Sequence, residues 1–413
     1  MRRGIFIWAA LAFALVGAAP CRAQRQLSLR EAMEQALQLR ASLKAQRELV
    51  SAATALKRQA ALFPNPEFQF QNENLRPGQT YTRDVDTLAM INQPLDLLGK
   101  RRQRIALAGE GVNRAQAEYE LARWEVAAQV KNAYWAALGA QHIRDALKTS
   151  AENFQRIVQY HSAQLRAGAI AEQDFLRVRL EGERVQISAD LAAIDANRFR
   201  LDLLKQMGDA GFSELILTEP LASEIAIAPL GMEEALNRRM EVKVARAALE
   251  EAKANARLQD VLARPDLNVT YGYKRTQLPD TPTGVNTAIV SVRITLPTTD
   301  KNQGNRSAAE AQVRRQEQIL AATETEIRAE YQTALEEYES RRTELRNALG
   351  PLREHAAEIA SIAAAAYTEG GTDLLRLLDA ERSRLDAELA WTRGMVDYRQ
   401  SIARLEAAEG VIQ

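Results

Sequence analysis

The sequence predicts a mainly α-helical fold with a membrane β-barrel, built from two copies of a helix, a β-hairpin and two further helices. Three observations predict it. Apolar residues recur every seven positions over very long stretches, the second half repeats the order of the first, and each half holds a pair of alternating strands.

Composition sets the frame. Of 413 residues, 46% are hydrophobic, 26% charged and only 6% aromatic, with 20 glycines and 12 prolines. That balance suits long helices packed closely through small side chains. Lys plus Arg equals Asp plus Glu at 54 each, so no basic excess exists to attract nucleic acid.

At the N-terminus, Arg2 and Arg3 precede an apolar run from Gly4 to Ala19, followed by Pro20, Cys21, Arg22, Ala23 and Gln24. A basic start, an apolar centre and small residues near a cut site describe a signal peptide over residues 1–23. Its apolar run falls short of the roughly 20 residues a membrane-spanning helix needs. Two fates stay open: cleavage after Ala23, or lipidation of Cys21, for which the preceding Pro20 is poorly suited. Cys21 is the only cysteine, so no internal disulfide is possible. No other stretch is apolar enough to span as a helix, and any membrane insertion therefore has to use strands.

Residues Ala36–Phe70 align without gaps on Ala235–Val269, an offset of 199. Lys44 meets Lys243, Arg58 meets Arg257 and Pro66 meets Pro265. Further on, Tyr134-x-x-Ala137-Leu138 meets Tyr331-x-x-Ala334-Leu335, and Gly168 meets Gly370. Matches in preserved order mean duplication, with repeats over 24–210 and 231–413 and a junction over 211–230.

The first helix is expected from Leu29 to Leu62. Ser28 opens it as N-cap with Glu31 three residues on, and Pro64 and Pro66 stop it. After a hairpin over 66–94, a helix starts near Lys100. It carries Ile105, Val112, Tyr119, Val126, Ala133, Ala140 and Leu147 at intervals of seven, with Ala108, Ala115, Ala122 and Ala136 three residues after members of that series. Large-then-small alternation on this period describes a close-packed coiled coil. Continued to Leu165, the helix would be about 90 Å long. The return helix after Gly168 places Leu180, Ile187, Ile194 and Leu201 again at sevens. The second half repeats the scheme, with a hairpin over 265–297 and a closing helix through Leu374, Leu378, Leu385, Leu389 and Val396.

Each strand has the length of a transmembrane β-strand, with one face for lipid and one for water. Pro66–Asn74 pairs with Asp84–Gln93, and Asp266–Lys274 with Thr287–Leu296. Val269, Tyr271, Val290, Val292 and Ile294 form the expected lipid-facing set. Asp84 and Asp86, beside a polar loop, read as solvated turn residues rather than a cation site. Four strands cannot close a barrel, since the smallest have about eight, and open edges are not tolerated in lipid. Strands of several chains must combine: two chains give eight strands filled by their own side chains, and three give twelve with room for a lumen.

Two glycine turns, Leu165-Arg166-Ala167-Gly168-Ala169-Ile170 and Tyr367-Thr368-Glu369-Gly370-Gly371-Thr372, each lead into a Leu-rich helix. With these turns and the duplicated order, the chain resembles the TolC-type outer membrane efflux proteins over nearly its whole length. Phe63-Pro64-Asn65-Pro66-Glu67 and Gln93-Pro94-Leu95-Asp96-Leu97-Leu98-Gly99-Lys100-Arg101 are similar to the wording of the CzcC-like heavy-metal efflux branch. The resemblance implies a homotrimer in the cell outer membrane, with a shared 12-stranded β-barrel capping an α-helical barrel that crosses the periplasm. It implies a passive channel of a tripartite efflux system, partnered by a periplasmic adaptor (membrane fusion) protein and an inner-membrane RND-type pump, with heavy-metal cations as expected cargo. It places Leu165, Ala167, Gly168, Ala169, Ile170, Tyr367, Gly370, Gly371 and Thr372 at the periplasmic tip against the adaptor, and Asp174, Arg376 and Asp379 at the tip gate. Arg376 stands where the family often has an acid, so a ring of negative charge would be partly neutralised or replaced by a salt bridge. A drug-efflux or type I secretion duct of the same family stays open, as does a periplasmic coiled-coil adaptor or scaffold.

No catalytic signature accompanies this pattern. His142, His161 and His355 are scattered, and no H-E-x-x-H, G-x-S-x-G or Walker A motif occurs. No enzyme activity, cofactor or resident metal is expected.

Overall fold

In chain order the first half comprises β1 (Arg25–Leu27), α1 (Leu29–Leu39), α2 (Ala41–Ala60), β2 (Glu67–Glu73), β3 (Asp86–Leu95), α3 (Lys100–Arg166) and α4 (Glu172–Met207). Then come β4 (Leu215–Leu217), α5 (Met232–Arg238), α6 (Met240–Leu262), β5 (Leu267–Thr276), β6 (Val285–Ile294), α7 (Gln303–Glu344), α8 (Gly350–Thr368) and α9 (Leu374–Ala408). The computed structural model describes residues 25–78, 85–211, 214–222, 227–278 and 284–411. The expected leader over 1–23 and Asp84 lie outside them.

Ser28 opens α1 with a reciprocal capping box: its hydroxyl accepts from the Glu31 N–H, and the Glu31 carboxylate accepts from the Ser28 N–H at 3.0 Å. The helix does not continue to Leu62 as expected. It breaks at Arg40, whose backbone is extended (φ −64°, ψ 117°), and the second half breaks at the matching residue, Arg239 (φ −59°, ψ 130°). Neither break contains Gly or Pro. Each is set by the end of the distant return helix of its own half. Gly208 and Gly410 close α4 and α9 with φ of 74° and 70°. A Cβ on Gly208 would lie 3.3 Å from Arg40 Cα, and one on Gly410 would lie 2.9 Å from the Arg238 carbonyl carbon. Arg40 Nη1 donates to Gln206 O at 3.0 Å, and Arg239 Nη2 donates to Glu330 Oε2 at 2.6 Å.

These breaks lie in a waist where the main core sits, around Leu27, Tyr134, Leu138, Leu204, Tyr338 and Tyr398. Here β1 and β4 pair in parallel, joining the start of the chain to the junction between halves. The repeat-related tyrosines fasten the connecting segments. Tyr134 Oη donates to Leu27 O at 2.9 Å and accepts from the Thr218 and Glu219 N–H groups, while Tyr331 Oη donates to Leu230 O. Burial raises the pKa of both hydroxyls. Buried Arg399 donates to Pro220 O at 2.9 Å and lies 4.7 Å from the Trp135 ring centre, and its burial lowers its pKa. Burial raises the Glu409 carboxyl, which accepts from the Leu230 N–H at 2.8 Å.

Between α7 and α8 the ladder passes through a π turn over Leu345–Leu349, in which the Gly350 N–H reaches Leu345 O. Pro351 follows; it has no N–H to donate, and its ring crowds the carbonyl four residues back.

On either side of the waist the helices and strands form a single row. Near the sheet the packing order is α2–α3–α6–α7, toward the far end it is α4–α3–α9–α8, and the sheet order is β2–β3–β5–β6. Each tier therefore has two free ends: α2 and α7, β2 and β6, α4 and α8. The expected seam of the return helix needs correction. In α3, Val126, Ala140 and Leu147 are buried as heptad positions, but Leu180, Ile187 and Ile194 of α4 are 49%, 60% and 65% exposed. The seam that α4 buries within the chain is Val178, Val185, Ala189, Ala192 and Ala196. The larger apolar residues point off the free end of the row.

Among the described residues, no helix is long and apolar enough to cross a membrane.

Gly410→Ala is expected to cost at least about 1 kcal/mol, because a side chain at positive φ must also displace the Arg238 backbone. Chemical denaturation of the detergent-solubilised protein checks it, with Gly231→Ala, whose Cβ meets nothing within 4 Å, as the tolerated control.

Candidate functional site

The four-stranded sheet gathers an apolar row on one face and a polar row on the other, although Leu88, Met90 and Ile289 share the polar side and Gln93, Arg275 and Asn286 the apolar one. Pairing puts Phe68, Ile91, Tyr271 and Val290 in one row across it, with Val269 beside Val292 and Leu267 beside Ile294 on the same face. The five expected lipid-facing residues thus share one side, and Val290 is 75% exposed there. The opposite side carries the row Glu67, Asn92, Thr270 and Ser291. Along β2 on that side, Gln69 Nε2 donates to Gln71 Oε1 and Gln71 Nε2 to Glu73 Oε1, at 3.1 and 3.3 Å. Asp86 is not the solvated turn residue expected. It is buried, and its carboxylate accepts from the Gln277 N–H at 2.7 Å and from Asn74 Nδ2 at 3.2 Å, tying the two hairpins together. Only the pairing of β3 with β5 brings those partners within reach.

At the far end, α3 and α8 finish in the same way. Gly168 and Gly370 have φ of 74° and 76°, a left-handed turn that a side chain would strain. The Ala169 N–H bonds Gln164 O at 2.9 Å, and the Gly371 N–H bonds Ala366 O at 2.8 Å, which satisfies the last carbonyls of each helix. Leu165, Ala167, Ala169, Ile170 and Thr372 lie on these two turns. Helix α9 then starts under Asp373, whose carboxylate accepts from the Arg376 N–H at 2.9 Å, whereas Ala171 caps α4 without a side-chain bond.

The structure places Tyr367 beside a residue the sequence did not single out. His161 is buried; its Nδ1 donates to Ile157 O at 2.8 Å, which leaves Nε2 to accept from Tyr367 Oη at 2.8 Å. The rings stack with centres 6.1 Å apart. This bond joins residues 206 positions apart and ties the end of α3 to the end of α8. The sequence signal for it is a histidine on the seven-residue series of α3, fourteen positions after Leu147. Burial raises the Tyr367 hydroxyl pKa, with smaller contributions from Tyr160 and the Asp174 carboxylate. Asp174 is half-buried near this pair. Arg376 and Asp379 are exposed, and neither has an ion-pair partner among the described residues. Nor, among the described residues, does any group of three or more His, Cys, Asp or Glu side chains lie close enough to hold a metal ion.

A sheet with an exposed apolar row on one face and a polar row on the other, continued by long helical hairpins, defines a class: the wall of a transmembrane channel. The chain belongs to the outer membrane efflux protein family, whose model matches residues 32–205 and 231–411. It is 28% identical over 342 residues to the cobalt-zinc-cadmium resistance protein CzcC of Cupriavidus metallidurans, covering 81% of this chain and 78% of that one. Its fold matches CusC with a TM-score of 0.75 at 18% identity, covering 93% of this chain and 92% of that one. It matches the Campylobacter jejuni CmeC outer membrane channel with a TM-score of 0.75 at 18% identity, over 92% of this chain and 85% of that one. The chain is an efflux channel of the TolC type, located in the outer membrane with a large periplasmic helical portion. Another solved structure it matches, with a TM-score of 0.74 at 22% identity, is the outer-membrane channel OprN.

Proposed function

We propose that three copies of this chain close into one continuous tube and conduct heavy-metal cations passively from the periplasm to the exterior. The observation that carries the assembly is the open row. Free β2 and β6 edges expose unpaired backbone groups, each costing several kcal/mol in lipid. Three copies supply 12 strands, wide enough for a lumen. In the helical tier, α4 offers Leu180, Ile187 and Ile194 at one end of the row, and α8 offers Leu352, Ile359 and Ile362 at the other. Two different stripes that meet head to tail generate a closed ring when the rotation closes.

The likeness to a cobalt-zinc-cadmium resistance protein over most of the chain supports heavy metals as cargo. The glycine turns form the periplasmic tip, where Leu165, Gly168, Ile170, Tyr367, Gly370 and Gly371 meet a periplasmic adaptor bound to an inner-membrane pump of RND type. Asp174, Arg376 and Asp379 line the gate at that tip, with Arg376 offsetting part of the acidic charge.

Three measurements test this reading. Ile187→Glu with Ile194→Glu is expected to shift the purified protein from trimer to monomer in native mass spectrometry, since it buries two charges per interface; an unchanged trimer would reject the α4 interface. Gly168→Pro or Gly370→Pro should abolish efflux while leaving the trimer intact, and normal export by both would displace the adaptor contact from the tip. Metal content of cells lacking the gene, challenged with zinc, cobalt, cadmium, nickel, copper and silver beside a dye control, should rise for one or two metals. Retained dye with unchanged metals would transfer the duct to drug efflux.

A further inference from the structure

The chain carries no net charge, yet its charges are not spread evenly. Segments 57–66, 96–106, 257–266 and 295–306, which join the helices to the hairpins, hold ten Lys and Arg residues against four Asp, a net charge of +6 per chain. The excess is not consumed internally. Lys100 pairs with Asp266, Arg104 with Asp96 and Arg306 with Asp260. Arg101 and Arg264 donate to the carbonyls of Ala61 and Leu98. Lys57, Arg58, Arg102, Arg257 and Lys301 have no ion-pair partner among the described residues and are all exposed. Lys100, Arg101 and Arg102 also occupy the first turn of α3, where the helix dipole disfavours positive charge. An anion outside the chain would offset that placement.

The same level is studded with bare apolar side chains. Leu62, Phe63, Leu97 and Leu296 are 59%, 65%, 70% and 70% exposed. Leu97 lies two residues past Leu95 and Leu296 two past Ile294, so both continue the alternation of the apolar sheet face beyond the strand ends. Arg101 covers the Phe63 ring at 4.1 Å. Cations interleaved with exposed leucines and an aromatic ring, directly below an apolar sheet face, are the chemistry of a membrane–water boundary, where apolar parts enter the acyl region and cationic heads stay at phosphate level. A water-filled lumen would not favour the leucines.

We infer that these segments form a basic collar that binds the anionic phospholipid headgroups of the periplasmic leaflet of the outer membrane. The inference rests on the hairpins lying in the bilayer. The collar sets the depth of the barrel and holds the helical tube upright beneath it.

The test uses the full-length assembled protein reconstituted in vesicles of phosphatidylcholine alone or mixed with phosphatidylglycerol. Lipids retained on the trimer are read by native mass spectrometry, and assembly by thermal dissociation. The native protein should retain phosphatidylglycerol preferentially, and its dissociation temperature should rise in the mixed vesicles at low salt and lose that rise at high salt. Neutralising the unpaired cations together (Lys57→Gln, Arg58→Gln, Arg102→Gln, Arg257→Gln) should cut the lipid preference about fivefold per charge. Replacing the three arginines by lysine should keep it. If the neutralised protein fails to assemble, Arg102→Gln alone should still show the fivefold loss. Equal retention of both lipids by the native protein, an unchanged preference in the neutralised variant, or the same protection from free inorganic phosphate would overturn the collar. Failure of the native protein to co-float with either vesicle would instead overturn the membrane placement of the hairpins.

Discussion

Backbone groups at the edge of a sheet need partners, and among the described residues no further strand pairs with either edge of this one. The sheet ends at β2 on one side and β6 on the other, and the helical tiers below end at α2 and α7, then at α4 and α8. A single layer with two free edges has no inside of its own. Lipid makes that arrangement untenable for the strands, because no water is present to replace the missing hydrogen bonds. The helices face a gentler version of the same constraint, with leucines and isoleucines left bare at the ends of the row. Closure by further copies answers both at once, and a lumen is what a closed single layer leaves in the middle.

The waist keeps the row in register. There the first helix of each half breaks at Arg40 or Arg239 against the end of its own return helix, and Tyr134 and Tyr331 fasten the incoming segments. The duplication is therefore more than a repeated order of elements; the same hydrogen-bonding solution is used twice. Apart from Asp86 in the sheet, the buried charge of the described residues lies here: Lys131 pairs with Glu406, Arg239 with Glu241 and Glu330, and Arg399 is held by backbone carbonyls. Breaking one member of such a pair leaves the other uncompensated, which makes the waist the least adaptable part of the tube.

The two ends of the tube differ in how they are held. At the sheet end, ion pairs such as Lys100 with Asp266 and the hairpin contact of Asp86 with Gln277 join the two halves across β3 and β5. At the tip, the buried His161 bonds Tyr367 across the halves, one of few such bonds among the described residues. Sparse tethering suits the adaptor contact and gate proposed for that end, since segments that move are drawn from the weakly held parts of a structure.

The sequence by itself determined the element order, the duplication, the capping box at Ser28, the four strands with the apolar residues that share one face, and both glycine turns. These are local properties: period, cap chemistry and alternation are written within a few residues of where they act. Only the tertiary structure decided where helices break, because Arg40 and Arg239 are ordinary helix residues whose extended backbone comes from Gly208 and Gly410, roughly 170 residues away. It alone divided the two apolar stripes of α4 into one buried by its own chain and one left bare. Heptad spacing marks a residue as apolar-facing but says nothing about which neighbour it faces. His161 with Tyr367, and Asp86 with Gln277, were illegible for the same reason: contacts across some 200 residues leave no local trace.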